Sequence, residues 1–84
     1  MQLISMPRSV TFVRLGDGKV AVACGPYSYN ALNVQRLANA MRKADMPMAD
    51  VLAVAVALAD RADIVMTIDA EQWDRLAPML DVVR

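Results

Sequence analysis

The sequence contains no histidine. That absence removes the commonest general base, metal ligand and near-neutral pH switch together. The one cysteine, Cys24, excludes an internal disulfide and a thiolate zinc site, and it suits a reducing, cytoplasmic setting. It lies in an apolar, strand-like run with no base beside it, which predicts a buried inert thiol rather than a nucleophile. Glycine is scarce, and two of the three glycines fall in Gly16-Asp17-Gly18. Without a following Gly-Lys-Ser/Thr, that cluster reads as a hairpin turn and not as a phosphate-binding loop. Aromatics amount to Phe12, Tyr27, Tyr29 and Trp73, too few for the stacking strands of an RNA-binding sheet. The longest apolar run, 51–59, has nine residues, well short of a bilayer span. The N-terminal end shows no apolar stretch of signal-peptide length. These absences predict a soluble, cytoplasmic, non-catalytic protein with no cofactor and no metal.

What is present is apolar surface and a divided charge. Of the 84 residues, 57% are hydrophobic, above the usual 45–50% on a similar count. A chain this short has little interior in which to hide the excess. Six internal methionines fit either an adaptable interface or gap-filling in an alanine-rich core. The net charge of zero conceals two halves of opposite sign. Residues 1–43 carry six bases against Asp17, and residues 44–84 carry eight acids against Arg61, Arg75 and Arg84. Such a split points to a partner surface, to self-association, or to the two ends folding against each other.

Patterning predicts one small α+β domain over 1–84, in the order ββααβα, with a hairpin-containing antiparallel sheet packed by helices. The β-branched runs 10–15 and 19–24 flank the Gly16-Asp17-Gly18 turn as a hairpin. A short edge strand over 2–6 precedes Pro7. Gly25-Pro26 is expected to end the ladder, which leaves Tyr27 and Tyr29 in a loop. A helix over 30–44 follows, with Ser28 or Asn30 as cap and Val34, Leu37, Ala38 and Met41 as its apolar stripe. Pro47 is expected to open a second helix, 47–62. Its 51–59 core alternates like a strand, but four alanines and the Asp50 and Asp60 flanks favour helix. A strand over 64–68 leads to a helix over 70–77, kinked near Pro78. Asp69 and Gln72 there form a capping-box-like pair, and Ile68 and Trp73 a hydrophobic staple.

The candidate contact residues are Asp60, Asp63, Asp69, Glu71, Asp74, Tyr27 and Tyr29. Asp60 and Asp63 close the apolar helix at the end where negative charge opposes the helix dipole. Tyrosine suits a surface whose one side packs and whose other side meets a partner. Carboxylates at helix ends are more often solvated caps than cation ligands. These features suit a small protein that binds another protein. An acidic face beside an apolar patch would suit blocking the basic channel of a nucleic-acid-handling enzyme, as phage inhibitors of the anti-CRISPR type do. Two alternatives stand beside it. Arg36, Asn39, Lys43, Gln35 and Arg42 could make the first helix the reading element of a dimeric DNA-binding or antitoxin-like regulator, although a pI near 6.1 lacks the usual basic footprint. The third reading is a homo-oligomeric structural subunit, self-associating through helix 47–62.

Overall fold

The computed structural model describes residues 6–82. The elements in chain order are β1 (Arg8–Arg14), β2 (Val20–Cys24), β3 (Tyr27–Ala31), α1 (Val34–Lys43), α2 (Met48–Ala59), β4 (Ile64–Ile68), α3 (Ala70–Leu76) and β5 (Asp81–Val82). A 3-10 turn, Ala77–Met79, extends α3. The expected α+β order holds, with one strand inserted after the hairpin and a two-residue strand added at the end. The strands form one antiparallel sheet in the order β4-β1-β2-β3-β5. The edge strand expected over 2–6 lies outside the described residues, apart from Met6, which is exposed and in no strand.

Alternation along the strands sends Val10 and Phe12, Val20, Val22 and Cys24, and Ala31 and Ile68 to one face, where all are buried. The three helices pack on that face through Leu37, Met41, Val51, Val54, Leu58, Trp73 and Leu76. The other face carries short side chains, including Ser9, Ala23, Ser28 and Thr67, all exposed.

Both hairpin turns rest on a glycine with positive φ. In the first, Gly18 (φ 87°) donates to the Leu15 carbonyl at 3.0 Å, and Asp17 Oδ1 accepts from the Lys19 amide at 3.0 Å. The second was expected to be a break. Gly25-Pro26 instead joins Cys24 to its partner Tyr27 in a two-residue turn, with Gly25 at φ 58°. Glycine at the first central position supplies the dihedral such a turn needs. The missing proline N–H falls in the turn, where the ladder does not need it. Tyr27 and Tyr29 therefore lie on β3 and not in a loop.

This extra strand moves the start of α1 from 30 to Val34. The cap is neither Ser28 nor Asn30 but Asn33, whose side chain accepts from the Arg36 amide at 2.8 Å. The helix over 47–62 is confirmed as Met48–Ala59, with Pro47 at the N-cap. The Asp69–Gln72 capping box does not form. Asp69 holds the cap position without a side-chain bond, and Gln72 Nε2 reaches the Asp45 carbonyl at 3.5 Å instead. The two staple residues, Ile68 and Trp73, are both buried. Pro78 acts as expected, ending α3 in the 3-10 turn.

Both long helices end in a Schellman motif without glycine. Asp45 (φ 60°) and Arg61 (φ 58°) occupy the left-handed position. After α1, the Asp45 and Met46 amides bond the Arg42 and Met41 carbonyls at 3.0 and 3.1 Å. After α2, the Arg61 and Ala62 amides bond the Leu58 and Ala57 carbonyls at 3.1 and 2.9 Å. A side chain at positive φ costs about 1–2 kcal/mol, while glycine's greater unfolded-state freedom offsets part of any gain. Arg61→Gly is therefore expected to stabilise the fold by about 0.5–1 kcal/mol in urea unfolding. A loss of stability would mean that the Arg61 side chain makes a contact worth more than this strain.

Candidate functional site

The expected contact residues do not form one face. Asp60 and Asp63 sit before β4, whereas Asp69, Glu71 and Asp74 follow it. The five residues of β4 separate Asp63 from Asp69, about 20 Å of extended chain. These five acids are thus divided between the two ends of an edge strand, while Asp45 and Asp50 lie beside the start of α2 and Asp81 on β5. All five acids are exposed.

At the first end, Asp60 is the C-cap of α2, and that helix has no base in its last turn. Partial compensation comes from the N-terminal half, since Arg14 Nη1 donates to the Leu58 carbonyl at 3.5 Å. Neither Asp60 nor Asp63 forms an ion pair among the described residues. Among the described residues the one ion pair is local, Lys19 with Asp17 at 4.0 Å and exposed. Among the described residues, no direct ion pair joins the two halves.

At the second end, three expected residues do converge. Tyr27, Tyr29 and Asp74 line a groove of about 380 Å³ with Arg8, Cys24 and Trp73. Inward-facing positions of β1, β2 and β3 supply Arg8, Cys24 and the tyrosines, and α3 closes the opposite wall. The Tyr29 and Trp73 rings meet edge to face, with centroids 5.3 Å apart and planes at 76°, a favoured aromatic geometry. Tyr29 is half-buried by this contact, while Tyr27 is 65% exposed. Cys24 is buried and free. The groove offers aromatic surface, phenol hydroxyls, one carboxylate and one guanidinium. That is an equipment for recognition.

Two other surfaces stand out. Arg36, Asn39 and Lys43 of α1 line a shallow hollow beside Met79, and Asn39 Oδ1 also accepts from Arg42 Nη2 at 3.0 Å and Gln35 Nε2 at 3.4 Å. On α2, Val51, Val54 and Leu58 are buried, while Met48, Leu52 and Val56 are 53%, 56% and 60% exposed. The sequence marks 47–62 as an apolar helix without separating these faces. The signal was available in the i, i+4, i+8 spacing of Met48, Leu52 and Val56. Arg8 carried no local signal, since only the sheet register brings it to the groove. Trp73, expected as a staple residue, lines the groove as well.

No group of three or more His, Cys, Asp or Glu placed to hold a metal ion occurs among the described residues. No described helix is long and apolar enough to cross a membrane. The chain matches no known family model, no characterised protein and no solved structure.

Replacing Tyr29 by Leu keeps apolar contact but removes the edge-to-face ring pair, at an expected cost of about 0.5–1.5 kcal/mol. Urea unfolding followed by Trp73 emission measures it. An unchanged midpoint would show that the ring pair contributes nothing beyond packing.

Proposed function

We propose that this is a small non-catalytic protein that works by binding another protein, through the groove between β3 and α3. The observation that carries the reading is the convergence of Tyr27, Tyr29 and Asp74 beside Trp73 and Arg8. An exposed tyrosine on a rigid strand supplies large contact area at low entropic cost, and such residues dominate interface energies. Asp69, Glu71 and Asp74 lie on the same side of β4 as this groove, so a basic partner surface suits it best. A nucleic-acid-handling enzyme with a basic channel is one partner of that kind, and an inhibitory role in a cytoplasmic setting follows if the groove covers that channel. Asp60 and Asp63, at the far end of β4, play no part in this contact.

The second reading is a DNA-binding regulator using α1. It draws on the hollow that gathers Arg36, Asn39 and Lys43. The two readings rank variants in opposite orders. In affinity capture from the source cells, Tyr27→Ala/Asp74→Arg should reduce binding of the captured protein at least about tenfold, as expected for an interface anchor. Arg36→Glu/Lys43→Glu should leave that binding near the parent level. A salt-dependent shift of duplex DNA, lost with Arg36→Glu/Lys43→Glu and kept with the groove variant, would overturn the protein-binding reading in favour of the regulator.

A further inference from the structure

We infer that the groove between β3 and α3 takes a short proline-rich segment of a partner protein, in the polyproline II conformation, with a basic residue of that segment against Asp74. This rests on the protein-binding reading of the groove and names the chemistry of its partner. Three of the chain's four aromatic side chains, Tyr27, Tyr29 and Trp73, gather here. The fourth, Phe12, is sealed in the core. Aromatic-lined grooves seat polyproline II segments, because compact apolar proline rings pack well on aromatic surface. Such a segment is stiff and extended before it binds, so docking costs little ordering. The groove volume of about 380 Å³ is on the scale of one three-residue turn of that helix, about 9 Å long.

The hydrogen-bonding groups of the groove separate this occupant from a helix or a strand. Trp73 is only 6% exposed, yet its indole N–H meets no acceptor among the described residues. No enclosed side-chain nitrogen or oxygen among those residues lacks a partner. The indole N–H therefore reaches the surface, at the groove that Trp73 lines. Indole and the Arg8 guanidinium can only donate, and the Tyr27 and Tyr29 hydroxyls can donate as well. None of these groups donates to an acceptor among the described residues. Asp74 is the one carboxylate in the lining. A polyproline II segment matches this inventory, with carbonyls free of internal hydrogen bonds and no N–H at each proline. A helix would bring carbonyls that are already bonded. An ordinary strand would bring a row of N–H donors, against which the lining side chains set a single carboxylate. Arg8 and Asp74 line the same groove without forming an ion pair. Arg8 is thus left to donate to a segment carbonyl, and Asp74 to hold a Lys or Arg beside the prolines.

Peptide titration of the isotope-labelled full chain tests this, since the single tryptophan gives one indole N–H resonance to follow. The probes are a blocked oligoproline, the same peptide with one flanking arginine, and an Ala/Gly peptide of equal length with that arginine. Both proline peptides should shift the Trp73 indole resonance saturably, with dissociation constants below about 1 mM. The arginine should tighten binding, and the Ala/Gly peptide should leave the resonance in place. Tyr27→Ala should weaken binding of both proline peptides at least about tenfold. Asp74→Asn should remove only the advantage of the arginine, with circular dichroism showing that both variants fold. A resonance unmoved by either proline peptide at millimolar concentration, or moved equally by the Ala/Gly peptide, overturns the proposal. An arginine advantage that survives Asp74→Asn overturns the role of Asp74. If the proline peptides fail while Tyr27→Ala/Asp74→Arg still lowers partner capture, the groove binds protein of another shape and only the polyproline inference falls. If they bind while capture is indifferent to that variant, the protein-binding reading falls instead.

Discussion

A single layer of helices on one side of a sheet can bury only one side of each helix, and α2 carries apolar side chains well beyond that side, with Asp50 its one charged residue. This mismatch governs much of the molecule. Val51, Val54 and Leu58 complete the core over Val10, Phe12 and Ile68, and the remaining apolar side chains of α2 are left facing water. A larger domain would lay another element across them. In 84 residues the surface is too large relative to the interior for that. The high hydrophobic content of the sequence thus appears in part as a ridge on α2, with Met6, Leu15, Tyr27, Leu32, Val65 and Met79 exposed elsewhere.

The charges follow a related logic. With no buried polar or charged residue among those described, the core makes no use of ion pairs. The bases of the first half lie on β1, on α1 and, with Lys19, beside the first hairpin turn; of the second-half acids, Asp60, Asp63, Asp69, Glu71 and Asp74 lie towards the two ends of β4, while Asp45 and Asp50 flank the start of α2 and Asp81 is on β5. Exposed charges of this kind add little to stability. They act on encounter and register with other molecules. The groove at one end of the sheet and the α2 face are therefore separate surfaces, one polar and aromatic, the other apolar.

Much of this architecture was legible in the sequence, wherever local chemistry and tertiary packing agree. The Gly16-Asp17-Gly18 hairpin, the helix over 51–59, the strand 64–68 and the Pro78 break each follow from residues within one element. The misses share a cause. Gly25-Pro26 permits both a chain break and a two-residue hairpin, and only pairing with β2 decides between them. Once β3 forms, α1 must begin later, and Asn33 replaces Ser28 and Asn30 as its cap. β5 is too short to leave a periodic signal, and Gln72 was drawn from its expected cap by the distant Asp45 carbonyl. The groove was half legible. Its tyrosines and Asp74 were recognisable by type, but Arg8 joins them only through the register of β1 with its neighbours.

The central claim is that α2 is a helix with one side sealed in the core and the opposite side open. Methyl relaxation caused by a soluble paramagnetic agent, measured on dilute protein, tests it most directly. Strong relaxation of the Leu52 and Val56 methyls is predicted, with Val51, Val54 and Leu58 shielded. Equal relaxation of Leu52, Val54, Val56 and Leu58, the alternation of a strand, would contradict the account.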